Sequence, residues 1–193
     1  DLPSFPTRRS SDLQFRNKEI KTTVKFDIEE TNDEVWIDKE MITTAIYNLI
    51  SNAYKYTPAK GSISISTFIT DTNFDKLTVN GVTQYLNVEV ADTGIGIPGS
   101  EVSYVFDRFY QATNQSATGQ AGSGIGLSIV KDYIEMHGGF VHAASKQGKG
   151  TTFTIQLPLG TTHLNGKKLK DNTQQLNQNI PELSVLHRTA EPT

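Results

Sequence analysis

The stretch VADTGIGIP, residues 90–98, places an acid at the end of an apolar, strand-like run, followed by two glycines with one residue between them. An ionised carboxylate only accepts hydrogen bonds, so Asp92 suits the exocyclic amino group of adenine and would repel the carbonyl group of guanine. Gly94 and Gly96 would let a ligand approach the backbone. The alternative is that Asp92 caps a turn. The GxGxxG spacing also matches the dinucleotide fingerprint, but a polar loop follows where that fold needs a helix.

The composition limits the classes of protein to which the 193-residue chain can belong. Its net charge of −3 argues against a nucleic-acid binder that relies on a basic surface. It has no cysteine, which excludes disulfides and thiolate metal sites, and its four histidines lack metal-ligand spacing. No apolar run approaches the roughly 20 residues that span a bilayer. We therefore expect a cytoplasmic domain with no nucleic-acid partner and no direct membrane contact.

Hydrophobic periodicity predicts the order of the helices and strands. Alternating or apolar runs indicate strands at 22–28, 34–38, 62–70, 84–91, 140–145 and 151–159. Helical spacing predicts helices at 39–57 and 124–138, with a short helix at 101–110. This order predicts an α/β fold, a two-layer sandwich in which a mixed, mostly antiparallel sheet carries helices on one face.

Both ends of the chain differ from this central pattern. Residues 1–13, DLPSFPTRRSSDL, resemble a translated sequencing-adapter oligonucleotide, and the alternative is an ordinary disordered tail. Residues 160–193 are rich in Asn, Gln, Lys and Thr without periodicity, which is typical of a linker. We therefore assign 1–13 as a non-native or disordered leader, 14–159 as the folded domain and 160–193 as a polar linker or tail.

Three polar side chains share one face of the predicted helix 39–57, apart from its apolar stripe. Asn48, Asn52 and Lys55 lie at positions i, i+4 and i+7. Magnesium takes hard oxygen ligands and keeps several waters, so one amide oxygen can be its single protein ligand, and a lysine can meet phosphate as a point charge. These residues suit a magnesium-bound polyphosphate, or they form an ordinary solvated surface.

A glycine-rich run, GQAGSGIGLSIVK at 119–131, leads into the second predicted helix. Gly122, Gly124 and Gly126 leave bare backbone amides at the helix N-terminus, an arrangement that binds phosphate. No GK[ST] follows, so the run is not a Walker A loop. The alternative is a flexible hinge.

The order of five segments is more specific than any one of them. NLISNAYKYT, ADTGIGIP, VFDRFY, GSGIGLSIVK and GKGTTFTIQLPL resemble, in that order, the N, G1, F, G2 and C-terminal glycine motifs of the catalytic ATP-binding domain of bacterial sensor histidine kinases. The resemblance covers residues 14–159. It implies the Bergerat ATP-binding fold, ATP and Mg²⁺ as cofactors, and transfer of the γ-phosphoryl group of ATP to a histidine in two-component signalling.

The resemblance also implies roles for individual residues. Asn52 holds Mg²⁺, Asp92 bonds the adenine amino group, and Lys55 and Tyr56 line the nucleotide. The implied catalytic set is Asn48, Asn52, Lys55 and Arg108. The further implied nucleotide contacts are Gly94, Gly96, Ile97, Phe109, Gly122, Ser123, Gly124, Ile125, Gly126, Leu127 and Thr152. Residues 111–122 look like the ATP lid, anchored by Phe106 and Phe109.

Two positions bear on the chemistry that the resemblance implies. Many family members carry an arginine after the FY of the F motif, where this chain has Gln111, and Arg108 is the nearest candidate replacement. Members of the fold that hydrolyse ATP use a glutamate four residues before the magnesium asparagine, where this chain has Asn48. Because an amide has no useful basicity, this position favours a kinase that holds ATP for an incoming imidazole.

The partners that the resemblance implies are a histidine-bearing dimerisation domain of the same kinase and a response-regulator receiver domain. None of the four histidines here has the acidic neighbour of the acceptor motif. The 160–193 tail resembles the linker between kinase and receiver in hybrid kinases, and we expect a parent protein anchored in the inner membrane. Two alternatives remain open, a degenerate ATP-binding regulatory module and an anti-sigma-type serine kinase of the same fold.

Overall fold

The computed structural model describes residues 18–28, 34–73, 82, 84–114 and 123–161, together with the backbone of 184–185. A five-stranded sheet forms its centre, in the order β1-β3-β4-β6-β5. β1 and β3 are parallel, and the other neighbouring strands are antiparallel. The elements are β1 (Lys21–Asp27), β2 (Trp36–Ile37), α1 (Lys39–Tyr56), β3 (Ser62–Thr70), β4 (Tyr85–Asp92), α2 (Gly126–Met136), β5 (Phe140–Lys146), β6 (Gly150–Pro158) and β7 (Ser184–Val185).

Two helices cover one face of this sheet. The buried residues of α1 are Ile42, Ala45, Leu49 and Ala53, whose spacing of three or four forms one stripe. This stripe belongs to the same apolar core as the residues that alternate along the strands, such as Val90 of β4. α1 also packs along α2. The predicted two-layer α/β sandwich with a mixed, mostly antiparallel sheet is therefore confirmed.

The buried ring of His137 joins the end of α2 to the beginning of α1. Its Nδ1 lies 2.6 Å from the carbonyl oxygen of Tyr133, and its Nε2 lies 2.9 Å from the backbone nitrogen of Asp38. Because the Asp38 N–H must donate, Nε2 accepts, and Nδ1 carries the proton that is donated to Tyr133. Asp38 in turn caps α1, since its Oδ1 accepts from the amide of Met41 at 3.0 Å. His137 is thus the C-cap residue of α2, and its ring links the two helices.

The ammonium group of Lys18 caps the other end of α1. Its Nζ donates to the carbonyl oxygens of Tyr54, Lys55 and Thr57 at 3.0, 2.9 and 3.0 Å. Carbonyls at a helix C-terminus lack partners within the helix, and a cation there opposes the negative end of the helix dipole. The contact fixes the last turn of α1, which carries part of the polar face described above.

The structure differs from the prediction between residues 101 and 110. The predicted short helix is limited to one turn of 3₁₀ helix, Val102–Tyr104. Phe109 has a φ of +65°, in the left-handed region, which a right-handed helix does not accommodate.

The short strand and the tail also differ in detail. The strand predicted at 34–38 is reduced to Trp36–Ile37, which pairs with Ser184–Val185 of the predicted tail. The other residues from 162 onward, and the predicted leader 1–13, lie outside the described residues. No helix in the described ranges is both long and apolar enough to cross a membrane.

Candidate functional site

A cavity lies where the last turns of α1, the loop after β4 and the first turn of α2 meet. The structure brings most of the predicted site residues to its wall, namely Asn48, Asn52, Lys55, Tyr56, Asp92, Gly96, Ile97, Ser123, Gly124, Gly126 and Leu127. Among the described residues, Lys55 and Asp92 are the only charged side chains on this wall. The wall thus combines one cation, one anion, several amides and several glycines, a set that can bind a polar ligand.

The polar face of α1 lies against the beginning of α2. Asn48, Asn52 and Lys55 all line the cavity, in agreement with their helical spacing. A Cβ added to Gly126, the first residue of α2, would lie 3.2 Å from Oδ1 of Asn48, so the two helices approach each other closely at this point. Ile125, which precedes the helix, supplies no side-chain cap. The first-turn amides of α2 therefore receive no acceptor from their cap residue, and the positive end of the helix dipole suits an anion.

Asp92 is the last residue of β4, and it lines the cavity. Its Oδ1 accepts hydrogen bonds from the backbone amides of Gly94 and Thr151 at 2.7 and 3.3 Å. Burial raises the pKa of Asp92, and these two amides oppose the shift only in part. The carboxylate is therefore short of hydrogen-bond donors, and a ligand N–H at Oδ2 would compensate for the water that it has lost.

Lys55 lies beside the aromatic ring of Tyr56 at the end of α1. Its Nζ is 4.9 Å from the ring centroid, within the range of a cation–π contact. Burial lowers the pKa of Lys55 and raises the pKa of Tyr56. The ammonium group is thus partly desolvated, which strengthens its attraction for a phosphate that reaches it.

Ser145, at the end of β5, organises the part of the wall near Asp92. Its Oγ accepts from the amide of Ile97 at 2.8 Å and lies 2.9 Å from both the carbonyl oxygen of Gly150 and the hydroxyl of Thr151. Because the Thr151 amide donates to Asp92, Ser145 supports the carboxylate through one intervening residue. The sequence pattern does not single out Ser145, since a lone serine near the end of a strand carries no signal for such a contact.

The first two glycines after Asp92 are packed against the protein itself. A Cβ at Gly94 would lie 2.5 Å from the carbonyl oxygen of Tyr56, and Gly94 is not part of the cavity wall. A Cβ at Gly96, where φ is +64°, would lie 2.1 Å from the carbonyl oxygen of Lys146. The position that a Cβ would take at either glycine is thus occupied by the protein backbone, although Gly96 itself still lines the cavity.

Several predicted contact residues lie away from the cavity. Arg108 forms an exposed ion pair with Asp132 of α2, in which its Nη2 is 2.7 Å from Oδ2. Arg108 is therefore not part of the cavity wall in this structure, whereas Gln111 lines it. Phe109 is 72% exposed and Ile125 is 39% exposed, and neither belongs to the wall. The backbone of Phe109 is left-handed and therefore does not continue the regular turn before it.

Thr151 reaches the cavity where Thr152 was predicted to do so. Thr151 and Phe153 line the wall, and side chains alternate along β6, so Thr152 points to the opposite face of the sheet. The alternation could have revealed this, because the apolar Phe153 identifies the face that carries the core. Gly122 lies outside the described residues.

Other wall residues come from segments that only the tertiary fold brings together. They are Ser51, Ile95, Val105, Tyr110, Ala112 and Phe153. Phe106 packs edge-on against Phe153, with the ring centroids 6.0 Å apart. This contact agrees with the predicted anchoring by Phe106 of the segment that leads into residues 111–114, whereas the exposed Phe109 makes no comparable ring contact among the described residues.

Comparison with known proteins identifies a family whose members resemble this chain. Residues 37–161 match the family described as histidine kinase-, DNA gyrase B-, and HSP90-like ATPase. The chain is 41% identical over 124 residues to the sensor histidine kinase WalK of Bacillus subtilis, which covers 64% of this chain and 19% of WalK. It is 34% identical over 128 residues to the circadian input-output histidine kinase CikA of Thermosynechococcus vestitus, which covers 66% of this chain and 16% of CikA. The chain thus spans less than a fifth of the length of these curated relatives.

A solved structure shares the fold. The mycobacterial sensor histidine kinase MprB aligns with a TM-score of 0.60 at 28% identity, which covers 78% of this chain and 90% of that chain. The family match extends from β2 through β6 and so includes every element that lines the cavity. The chain therefore belongs to the family of histidine kinase-, DNA gyrase B- and HSP90-like ATPases.

Proposed function

We propose that this chain is the ATP-binding catalytic domain of a sensor histidine kinase, which donates the γ-phosphoryl group of ATP to a histidine on a separate dimerisation domain. The observation that carries the proposal is the placement of the Asp92 carboxylate, the amide face of α1 and the N-terminus of α2 on one cavity wall. The relatives named as sensor histidine kinases support the same activity.

The adenine base would bind at Asp92. Because two backbone amides hold Oδ1, Oδ2 is left to accept from the exocyclic amino group. Guanine presents a carbonyl oxygen at that place, and two acceptors would repel each other. Ile97, Val105 and Phe153 add apolar surface to the same wall, which suits the faces of a purine ring.

The phosphates would lie between Lys55 and the first turn of α2. One lysine offsets only part of the charge of a triphosphate, so a metal cation is needed. The amide oxygen of Asn52 fits Mg²⁺, which binds few protein oxygens and completes its shell with phosphate and water. When bound, Mg²⁺ would supply charge neutralisation at the terminal phosphates. Asn48 would orient the phosphate as a second amide, and Ser123, Gly124, Gly126 and Leu127 would close around it.

Phosphoryl transfer is favoured over hydrolysis because the described residues at the phosphate end include no base. Among the described wall residues, Asp92 is the only carboxylate, and we assign it to the adenine. The amide of Asn48 does not accept a proton at neutral pH. Catalysis would consist of positioning and charge neutralisation while an imidazole approaches the terminal phosphate in line.

The phosphoryl acceptor would come from a partner domain. His137 uses both ring nitrogens at the junction of the two helices, and His142 lies on β5 outside the cavity wall. His163 and His187 lie outside the described residues. We therefore propose a histidine-bearing dimerisation domain as the direct partner, and a response-regulator receiver domain as the protein that takes the phosphoryl group next.

A transfer experiment tests the proposal. The chain is mixed with Mg²⁺, ATP labelled at the γ-phosphate and the dimerisation domain of a related kinase, with a histidine-to-glutamine variant of that domain as control. We expect acid-labile phosphohistidine on the first domain and none on the control. ATP binding without transfer to any histidine domain would instead support a regulatory module, a candidate that the neutral Gln111 on the cavity wall favours. Transfer to a serine protein would support an anti-sigma-type kinase.

A further inference from the structure

The carboxylate of Glu101 receives three hydrogen bonds from the segment at 110–113. Oε2 accepts from the hydroxyl of Tyr110 and from the amide of Thr113, both at 2.9 Å, and Oε1 accepts from the hydroxyl of Thr113. The amide of Glu101 itself donates to the carbonyl oxygen of Pro98 at 2.8 Å. One side chain therefore ties the segment 110–113 to the loop that follows β4.

The residues held by Glu101 form part of the cavity wall. Tyr110, Gln111 and Ala112 line it, and Ala112 is also buried in the core. Thr113 follows them directly and carries two of the three hydrogen bonds. Glu101 does not line the cavity, so any influence that it has on a ligand acts through these neighbours.

Asn114 extends the same attachment by one residue. Its Nδ2 donates to the carbonyl oxygen of Gly96 at 2.7 Å, and Gly96 also lines the cavity. Hydrogen bonds to a carboxylate are stronger than those between neutral groups. The hydroxyl and the amide of Thr113 accordingly lower the pKa of Glu101. The segment 110–114 is thus attached at two points to the loop 96–101.

We propose that Glu101 is a positioning residue of the nucleotide site, which holds Tyr110, Gln111 and Ala112 on the cavity wall before the nucleotide arrives. This inference rests on the proposed function, because the nucleotide assigned above is the ligand that the wall would meet. A wall that is already ordered has less conformational freedom to lose on binding. Loss of the Glu101 contacts should therefore weaken nucleotide binding mainly through faster dissociation.

Hydrogen exchange at the Thr113 amide tests the attachment in the absence of nucleotide. Glu101→Ala removes the acceptor of this amide and should raise its exchange rate by about tenfold. Glu40→Ala is the matched control, because Glu40 is an exposed acid in the first turn of α1 with no side-chain hydrogen bond among the described residues. Its Thr113 amide should exchange as in the parent chain. Equal rates in Glu101→Ala and the parent chain would overturn the inference.

Nucleotide binding tests the consequence. Stopped-flow dissociation of a fluorescent Mg-ATP analogue should be about tenfold faster for Glu101→Ala and less affected for Glu101→Gln, which keeps one acceptor oxygen. Thr113→Val combined with Glu101→Ala should add little, because both changes remove the same contact. A parent chain that does not bind Mg-ATP contradicts the proposed function itself. A parent chain that binds, with Glu101→Ala releasing nucleotide within about twofold of it, overturns this inference alone.

Discussion

Replacement of Asp92 by asparagine changes the hydrogen-bonding character of the proposed adenine site and keeps its shape. Oδ1 of Asp92 is held by the N–H groups of Gly94 and Thr151 at 2.7 and 3.3 Å. An asparagine must direct its carbonyl oxygen to these two donors, because its NH₂ group would otherwise face both of them. Its amide nitrogen is consequently forced into the position of Oδ2, where it meets the amino group of adenine.

The expected loss of ATP affinity follows from this geometry. The variant loses a hydrogen bond to a charged acceptor, which is about 1.5–3 kcal/mol, and it brings two buried donors face to face, which costs about 1–3 kcal/mol more. Together these effects amount to about 2.5–6 kcal/mol and weaken ATP binding by at least about 60-fold. Guanine offers a carbonyl oxygen at the same place, so the affinity for GTP should rise in the same variant.

Isothermal titration calorimetry with Mg-ATP and Mg-GTP measures both effects. Asp132→Asn is the matched control, because it neutralises an exposed aspartate that pairs with Arg108 away from the cavity. The thermal unfolding midpoint of Asp92→Asn should not fall, since burial raises the pKa of this carboxyl and its ionised form therefore disfavours folding above that pKa. ATP binding by Asp92→Asn within about twofold of the parent chain would refute the assignment of Asp92 to adenine.

Three further predictions concern the packing at Gly96, the pH dependence of ATP affinity and the hydrogen bond of His137. Gly96→Ala should lower the free energy of unfolding by about 1–3 kcal/mol in urea titrations, because the left-handed backbone and a carbonyl oxygen 2.1 Å from the new Cβ both oppose the added methyl group. The control Gly99→Ala, whose Cβ would have nothing within 4 Å, should leave the free energy of unfolding unchanged. Equal urea midpoints in the two variants would contradict this prediction. ATP affinity should fall about tenfold per pH unit below the raised pKa of Asp92, because only the ionised carboxylate accepts a hydrogen bond from adenine. Asp92→Asn should lack this pH dependence, and parallel pH profiles of ATP affinity in the two proteins would count against the prediction. His137→Ala should cost about 1–3 kcal/mol of unfolding free energy, because the amide of Asp38 loses its buried acceptor, and a change within about 0.3 kcal/mol would disagree with that contact.

The fold was predictable where a periodic pattern and a local stop signal coincide. The helix predicted at 39–57 is observed as Lys39–Tyr56, because Asp38 caps its beginning and Pro58 prevents its continuation. The segment 101–110 has no such local signal. Its left-handed residue, Phe109, donates its amide to the carbonyl oxygen of Gly124 at 2.7 Å, a contact between segments that only the folded chain brings together.

The site was predictable as far as its residues belong to one element. The shared face of Asn48, Asn52 and Lys55 follows from helical periodicity alone, and all three reach the cavity. Nearness in sequence did not predict the observed position of Arg108, the candidate to act in place of an arginine at position 111. Asp132 of α2 pairs with it instead, and the sequence gives no way to rank that acid above a ligand phosphate.

The glycines around Asp92 show why a motif can be located from the sequence while its physical reason stays hidden. A missing side chain looks the same in the sequence whether a ligand or another strand of backbone needs the space. Here a Cβ at Gly94 would lie 2.5 Å from the carbonyl oxygen of Tyr56, and a Cβ at Gly150 would lie 1.9 Å from the carbonyl oxygen of Asp92. These two glycines let the end of α1 and the beginning of β6 approach Asp92 from either side. They would therefore serve a nucleotide indirectly, because they fix the backbone that carries the carboxylate.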